Sequence, residues 1–350
     1  MSIRSIPGHY EPDSKEASQQ MEVVNGVFKV EVPTPFPVGR VNAYIIEGDP
    51  VTLVDSGPNS EKAFSGLLQG FEQAGVDIAR LSQVLLTHGH TDHVGLVSSI
   101  GDEVEQRGGK RPSVWLHQND HHRVIRHEEY TRKRVRSYIE IAERAGTPCE
   151  ILDQMPYEWL VDRFISFGKS IPDVQTLTDE TVFETGLGPL RCIWTPGHSH
   201  GSVCFVAEEE RIIFSGDHLL SDISSNPSLD FDRSSDIMML RYLDSLLRLD
   251  KYKDYQAYPG HRAIINNIGS RIRELEEDVI EKLDRMREAL AQTHQSIYAL
   301  SRQIYGSYGL DQIVLALAET MDLVRILEAN QQAETVEIEG VLHARERLSK

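Results

Sequence analysis

Cysteine is scarce in this chain, with three residues among 350. Cys149, Cys192 and Cys204 are odd in number and widely spaced, so we exclude a disulfide-stabilised scaffold and expect a cytoplasmic location. No apolar run reaches the length of about 18 residues that a membrane-spanning helix needs, so we expect no membrane association. Residues 1–20 contain no apolar segment of the kind found in secretory signals, and we expect a polar tail there.

Basic residues are also few. The chain has 36 Lys and Arg against 54 Asp and Glu, which gives a formal net charge of −18. Affinity for nucleic acid comes mainly from basic side chains that neutralise phosphates, so this balance argues against a general nucleic-acid partner. The hydrophobic share of 40% is typical of a globular protein with an ordinary core.

Two strand-rich halves flank a mostly helical segment. Short runs rich in β-branched residues predict strands between residues 27 and 117, with helices over 60–76 and 93–107 among them. Strands return after residue 175, and residues 119–175 form a helical insert. The order predicts an α/β fold, a sandwich of two mixed sheets with helices outside. We divide the chain into a polar tail (1–20), a main domain (21–268) and a C-terminal domain (269–350).

The C-terminal domain reads as three helices followed by a β-ribbon. A long charged helix is predicted over 269–292, with two more over 295–304 and 311–329, and Gly340 lies at the turn of the ribbon. This is the element order of winged-helix domains. However, residues 269–350 hold ten basic and fifteen acidic side chains, and a helix that faces phosphates should not be acidic. We therefore interpret the domain as a packing or dimerisation element, which leaves a homodimer open.

Histidine is concentrated in one motif, Thr87-His88-Gly89-His90-Thr91-Asp92-His93, at the end of a predicted strand. Alternate residues of an extended chain point the same way, so His88 and His90 can share one metal ion. The chain then turns into a helix, where Asp92 and His93 face a second metal ion.

Three further strands end in a ligand type after a small or Gly-rich turn: His198 in TPGHSHGS, Asp217 in FSGD and His261 in YPGH. Any one of these turns is ordinary, but four such segments together predict a metal site at one rim of the sandwich. Imidazole and carboxylate without thiolate suit zinc in a hydrolytic site, with iron or manganese as alternatives. We expect the nearby His200 to support the site or to be exposed.

These segments together resemble the metallo-β-lactamase superfamily. The resemblance covers residues from about 25 to 265 and rests on FPVGRVNAYIIEG, VDSG, THGHTDHVG, TPGHSHGS, SGD and YPGH. It implies an αββα sandwich with two divalent metal ions. By match, the first ion is held by His88, His90 and His198, the second by Asp92, His93 and His261, and Asp217 bridges both. Asp55 matches the family residue that steadies the metal loop.

The resemblance also implies a reaction. Asp217 stands where some true β-lactamases have cysteine, so the chain resembles the glyoxalase-II-like dinuclear branch, and antibiotic hydrolysis is not indicated. A hydroxide that bridges the two ions would attack the substrate, with Asp92 as the catalytic residue that orients it. We favour a small acyl substrate, a thioester before a lactone or ester.

Two alternatives stay open. The C-terminal domain resembles that of a superfamily subgroup that includes an endoribonuclease, so a phosphodiesterase or ribonuclease is the second interpretation. A non-enzymatic nucleic-acid-binding regulator is disfavoured because all seven ligand positions are present.

The insert carries the one notable basic cluster, including Arg132, Lys133 and Arg134. We expect the insert to form the outer wall of the substrate pocket, because it begins at a strand end that points to the metal rim. The basic cluster is either a solvated helix face or a site for an anionic part of the substrate.

Overall fold

The first strand-rich half forms a seven-stranded sheet in the computed structural model, which describes residues 22–227, 236–291 and 294–347. The strands lie in chain order across the sheet, antiparallel from the first to the fourth and parallel from the fourth to the seventh. They are β1 (Glu22–Val24), β2 (Val27–Val32), β3 (Val41–Ile46), β4 (Val51–Val54), β5 (Leu81–Leu85), β6 (Ser113–His117) and β7 (Gln175–Leu177).

Helices α1 (Glu61–Ala74), α2 (Thr91–Val94) and α3 (Val97–Gln106) follow strands of this sheet. The predicted limits of α1 are confirmed, because Ser60 accepts a hydrogen bond from the Ala63 amide and Gly75 ends the helix in the left-handed region. The single helix expected over 93–107 was wrong. The helix is interrupted after Val94 and resumes at Val97. At Gly95, between the two helices, a Cβ atom would lie 2.3 Å from the Phe167 carbonyl oxygen.

The insert is the connection between the parallel strands β6 and β7. It contains α4 (His121–Ile125), α5 (His127–Arg144), α6 (Cys149–Leu152) and α7 (Tyr157–Ser166). Its two main helices confirm the predicted helical character. The segment leaves β6 at its carboxyl end, which is also the edge of the sheet where the β5 loop emerges. The insert therefore starts beside the His-rich motif.

The second half forms a five-stranded sheet in the order β12-β11-β10-β9-β8, in which only β11 and β12 are parallel. The two sheets pack face to face through aromatic and aliphatic side chains that include Tyr44, Phe205, Phe214 and Tyr258. The strands are β8 (Val182–Thr185), β9 (Gly188–Trp194), β10 (Val203–Ala207), β11 (Ile212–Gly216) and β12 (Gln256–Pro259).

Helices α8 (Met238–Leu249) and α9 (Ile268–Leu290) cover the outer face of the second sheet, as α1 and α3 cover the first. The expected αββα sandwich is confirmed. Because Ile272, Leu275 and Val279 of α9 join the core above the second sheet, the start of the C-terminal domain also completes the sandwich.

The rest of the C-terminal domain contains α10 (Ile297–Tyr305), α11 (Ile313–Ala329) and a three-stranded sheet in the order β13-β15-β14. Its strands are β13 (Gln295–Ser296), β14 (Ala333–Ile338) and β15 (Val341–Glu346). The predicted helices and the ribbon with its turn at Gly340 are present; the winged-helix assignment stays a prediction. No helix within the described ranges combines the length and the apolar character that crossing a membrane requires.

Candidate metal centre

The seven predicted ligands lie together at one edge of the sandwich. Each follows the carboxyl end of a strand: the His-rich motif follows β5, and single ligands follow β9, β11 and β12. The ligand atoms form three overlapping groups, each within 4.8 Å: His88, His90 and His198; His88, His93 and Asp217; Asp92, His93 and His261.

The first group has its ring nitrogens pointed at one another. His90 Nδ1 lies 3.0 Å from His88 Nε2 and 2.8 Å from His198 Nε2. The outer nitrogens have other partners, since His88 Nδ1 lies 3.0 Å from Thr87 Oγ1 and His198 Nδ1 donates to the Ser225 carbonyl. The inner nitrogens are therefore the ones available to a metal ion.

The third group (Asp92, His93 and His261) shows the same arrangement of its ring nitrogens. His93 Nδ1 donates to Asp55 Oδ2 at 2.9 Å, and His261 Nδ1 donates to the Arg40 carbonyl at 2.8 Å. A neutral imidazole has one donor and one acceptor nitrogen. In its neutral form, each of these two rings therefore turns an acceptor Nε2 atom towards the centre.

Asp217 lies between the first group and the third group. Its carboxylate oxygens are 3.4 Å from His93 Nε2, 3.6 Å from His198 Nε2 and 3.6 Å from His261 Nε2. Asp92 adds a second carboxylate, 3.4 Å from His261 Nε2. A single carboxylate thus reaches imidazoles of both groups, which is the placement that a bridging ligand needs.

Three buried atoms at this centre lack a hydrogen-bond partner among the described residues: His93 Nε2, His261 Nε2 and Asp217 Oδ1. Buried polar atoms are normally satisfied, so three that converge on one point indicate a missing partner. Imidazole nitrogen and carboxylate oxygen are ligands for zinc, iron or manganese. The residues present therefore fit divalent cations.

The pKa values of two rings in the first group, His88 and His90, also favour ligand binding. Burial and the neighbouring His93 and His198 hold the pKa of His88 well below its usual value. Burial, His198 and Arg134 do the same to the pKa of His90. Both rings are therefore neutral at physiological pH, and neutral imidazole is the form that binds metal.

Asp55 contacts the metal loop from behind. It accepts hydrogen bonds from the Thr87 amide at 2.9 Å and the Thr87 hydroxyl at 2.7 Å, besides the one from His93. Because the Thr87 hydroxyl proton is given to Asp55, its oxygen accepts from His88 Nδ1. One carboxylate thereby sets the tautomers of two candidate ligands.

A second buried carboxylate, Asp120, was missed by the sequence analysis. It accepts from the Gly89 amide at 2.8 Å, the Ser199 hydroxyl at 2.7 Å and the Gly201 amide at 3.1 Å. Burial alone would raise the pKa of Asp120, but the Arg123 guanidinium 3.0 Å away and the donated hydrogen bonds hold it below its usual value. Asp120 therefore ties the His88–His93 loop to the loop that carries His198.

A cavity of about 330 Å³ opens onto the candidate ligands. The insert supplies much of its wall, as predicted, and the loop around Phe36 and Val38 supplies another part. The C-terminal domain contributes a third part through Leu310, Val314 and Leu315, which the sequence analysis did not foresee. The volume is that of a small-molecule site.

The predicted basic cluster is split by the structure. Arg134 lines the cavity, and its Nη2 lies 3.2 Å from His90 Nε2. Arg132 instead pairs with Glu128 at 3.1 Å, and Lys133 is exposed. Of the three residues predicted to bind an anion, Arg134 is therefore the one that lines the cavity. His200 is buried, with its Nε2 3.7 Å from Asp236 rather than among the ligand groups.

An αββα sandwich with clustered imidazoles and carboxylates at a strand-end rim defines a metal-dependent hydrolase. A model of the metallo-beta-lactamase superfamily matches residues 36–261, and the chain belongs to this superfamily.

Individual relatives agree with this assignment. The chain is 26% identical to probable metallo-hydrolase YqjP of Bacillus subtilis over 308 residues, covering 87% of this chain and 93% of the relative. It is 28% identical over 191 residues to an atrochrysone carboxyl ACP thioesterase of Aspergillus novofumigatus, covering 50% of this chain and 56% of the relative. A metallo-beta-lactamase family protein of Thermus thermophilus shares the fold, with a TM-score of 0.77, 24% identity and coverage of 93% of this chain and 100% of that protein.

Proposed function

We propose that this protein hydrolyses a small acyl substrate, a thioester before a lactone or ester, at a centre of two divalent metal ions. The observation that carries the proposal is the placement of Asp217 between two groups of inward-facing imidazoles, with its Oδ1 and two Nε2 atoms unsatisfied among the described residues. Zinc is the favoured metal, with iron or manganese as alternatives.

The geometry supports the following ligand assignment. His88, His90 and His198 would hold one ion, Asp92, His93 and His261 would hold the other, and Asp217 would contact both. When bound, two such ions supply a hydroxide nucleophile at neutral pH and stabilise the negative charge that develops on the substrate oxygen. The Asp92 carboxylate is placed to accept a hydrogen bond from the attacking water and to orient it.

Two observations support an acyl substrate. Part of the cavity lining is apolar and includes Phe164 of the insert and Leu310 and Val314 of the C-terminal domain. Such a wall suits an acyl chain better than a charged nucleic-acid backbone. The name of the fungal relative is that of a thioesterase. We therefore favour hydrolysis of a thioester over hydrolysis of a lactone or ester.

A phosphodiesterase or ribonuclease is the second candidate, favoured by the order of helices and ribbon in the C-terminal domain. Two acidic residues of α11 are buried partners within the fold: Glu319 pairs with Lys282 at 2.7 Å, and Asp322 accepts from the Met239 amide at 3.0 Å. These contacts use the helix for packing, which supports the first candidate.

The test is a substrate panel. Zinc-loaded protein is assayed against acyl-CoA, acyl-glutathione, a lactone and single-stranded RNA, with metal-free protein as the control. We expect metal-dependent hydrolysis of an acyl substrate and no cleavage of RNA. RNA cleavage without acyl hydrolysis would support the second candidate and contradict the proposal.

A further inference from the structure

We propose that Arg134 and the outer nitrogen of His90 together bind a carboxylate on the acyl part of the substrate, close to the bond that is hydrolysed. The inference rests on the proposed function and gives it a substrate class, acyl groups that carry a second, negatively charged end. It starts from the contact of 3.2 Å between Arg134 Nη2 and His90 Nε2.

This contact changes character when His90 binds a metal ion. His90 points Nδ1 at His88 and His198, so Nδ1 is its ligand atom. A neutral imidazole that uses one nitrogen as a ligand carries its proton on the other. With a metal ion bound, His90 Nε2–H and the Arg134 guanidinium would both be donors, and one acceptor oxygen beside the pair could take a hydrogen bond from each.

Two tyrosine side chains fix the position of the Arg134 guanidinium. Its Nη1 donates to the Tyr130 hydroxyl at 2.9 Å, its Nε donates to the Tyr138 hydroxyl, and its guanidinium carbon lies 5.2 Å from the centre of the Tyr138 ring. These contacts fix the guanidinium in a defined orientation, and the groups that make them are neutral.

Two other arginines of the insert already have anionic partners. Arg123 pairs with Asp120 at 3.0 Å, and Arg132 pairs with Glu128 at 3.1 Å. Arg134 contacts hydroxyls and an imidazole, but forms no ion pair with a carboxylate in the part of the chain that the structure describes. A cation that lines a largely apolar cavity without a carboxylate partner favours an anionic ligand.

The position of Arg134 limits where that anion lies on the substrate. The guanidinium is one imidazole ring away from the ligand nitrogen of His90, so the bound anion is close to the metal-binding end of the cavity. The second carboxylate is therefore near the scissile carbonyl on the acyl chain, as in a short dicarboxylic acyl group. The apolar part of the cavity lining remains free for the rest of the substrate.

The experiment uses two hydrolysis products as probes. Succinate and butyrate have the same chain length, and only succinate has the second carboxylate. Their binding to the zinc-loaded protein is measured by calorimetry for the wild type, Arg134→Gln, Arg134→Lys and the control Arg132→Gln. Zinc content is measured for each variant.

We expect the wild type and Arg132→Gln to bind succinate roughly tenfold or more tightly than butyrate, since an Arg–carboxylate pair is a strong, charge-assisted contact. Arg134→Gln should lose this preference with its zinc content unchanged, and Arg134→Lys should keep part of it. An unchanged preference in Arg134→Gln, or loss of zinc from it, would overturn the inference. These probes need no turnover, so failure of the proposed hydrolysis is detected separately, by the substrate panel.

Discussion

Single carboxylates outside the ligand set orient the ligands of this centre. Asp55 accepts from Thr87 and His93, and through the Thr87 hydroxyl it also sets the tautomer of His88. A ligand whose far nitrogen is fixed in this way keeps its near nitrogen free for the metal. Asp55 therefore acts on both groups of ligands without being a ligand itself.

Replacing Asp55 tests this role. In Asp55→Asn, the amide nitrogen places a donor either against the Thr87 amide or against both the Thr87 hydroxyl and His93. The first orientation disturbs the loop that carries the ligands, and the second removes the fixed tautomers of His88 and His93. We expect zinc affinity to fall about 10- to 100-fold, measured by competition with a chelator. Asp173→Asn, at an exposed position, is the control and should bind zinc like the wild type. Wild-type affinity in Asp55→Asn would show that the contact is dispensable.

The sequence predicts some of these residues and not others for a physical reason. The candidate ligands can be predicted from the sequence because each follows an apolar strand and a small turn. The role of Asp120 cannot be predicted in this way, because its hydrogen bonds to Gly89, Ser199 and Gly201 join residues that are distant in the sequence. Likewise, consecutive residues of a helix point in different directions, so a run such as 132–134 cannot face one cavity together.

At the scale of elements, the insert and the C-terminal helices share the cavity wall and also pack on each other. Ala142 and Ala145 of the insert lie in one core with Leu300, Leu317 and other residues of the C-terminal domain. The position of the insert is foreseeable, because it leaves a parallel strand at the metal edge. Helix α8 was not predicted, although Met239, Tyr242 and Leu246 have the spacing of a buried helical face.

A buried ionic cluster joins α9 to α11. Lys282 Nζ lies 2.7 Å from Asp278 and 2.7 Å from Glu319. Burial would lower the pKa of Lys282, but the two carboxylates hold it above its usual value. The stabilisation that the charge of Lys282 provides is therefore present throughout the neutral range and is lost as the pH rises through the folded-state pKa, above about 10.4.

Removing the cation should destabilise the protein. Lys282→Met leaves Glu319 buried without its partner, and breaking such a pair costs about 3–5 kcal/mol. The free energy of unfolding is measured in urea, with Lys62→Met at an exposed position of α1 as the control. We expect the control to change stability by less than about 0.5 kcal/mol. A Lys282→Met variant as stable as the control would mean that the cluster contributes nothing.

At the scale of the whole molecule, the C-terminal domain cannot be separated cleanly from the sandwich. Its first helix covers the second sheet, and residues 310–315 line the cavity. The domain boundary predicted at residue 268 separates a strand-rich part of the sequence from a helical part. A composition change marks where element types switch, but it does not show which faces pack together.

Truncation after Ile268 tests this dependence. It should expose apolar side chains of the second sheet (Ile193 and Val206) and of α8 (Leu246), and yield aggregated or poorly soluble protein. Size-exclusion chromatography and thermal unfolding measure the result. A soluble, monomeric and cooperatively folded truncated chain would contradict it, and salt-sensitive RNA binding by the full chain that is lost on truncation would favour the ribonuclease candidate.

The central claim is that seven side chains hold two ions with Asp217 between them. The most direct measurement is the metal content per chain after metal-replete expression, by elemental analysis, for the wild type and Asp217→Ala. The account predicts about two ions per chain in the wild type, and about one or fewer in Asp217→Ala together with loss of most activity, because this carboxylate contacts both sets of ligands. Less than about half an ion per wild-type chain, or two ions and full activity in Asp217→Ala, would contradict it.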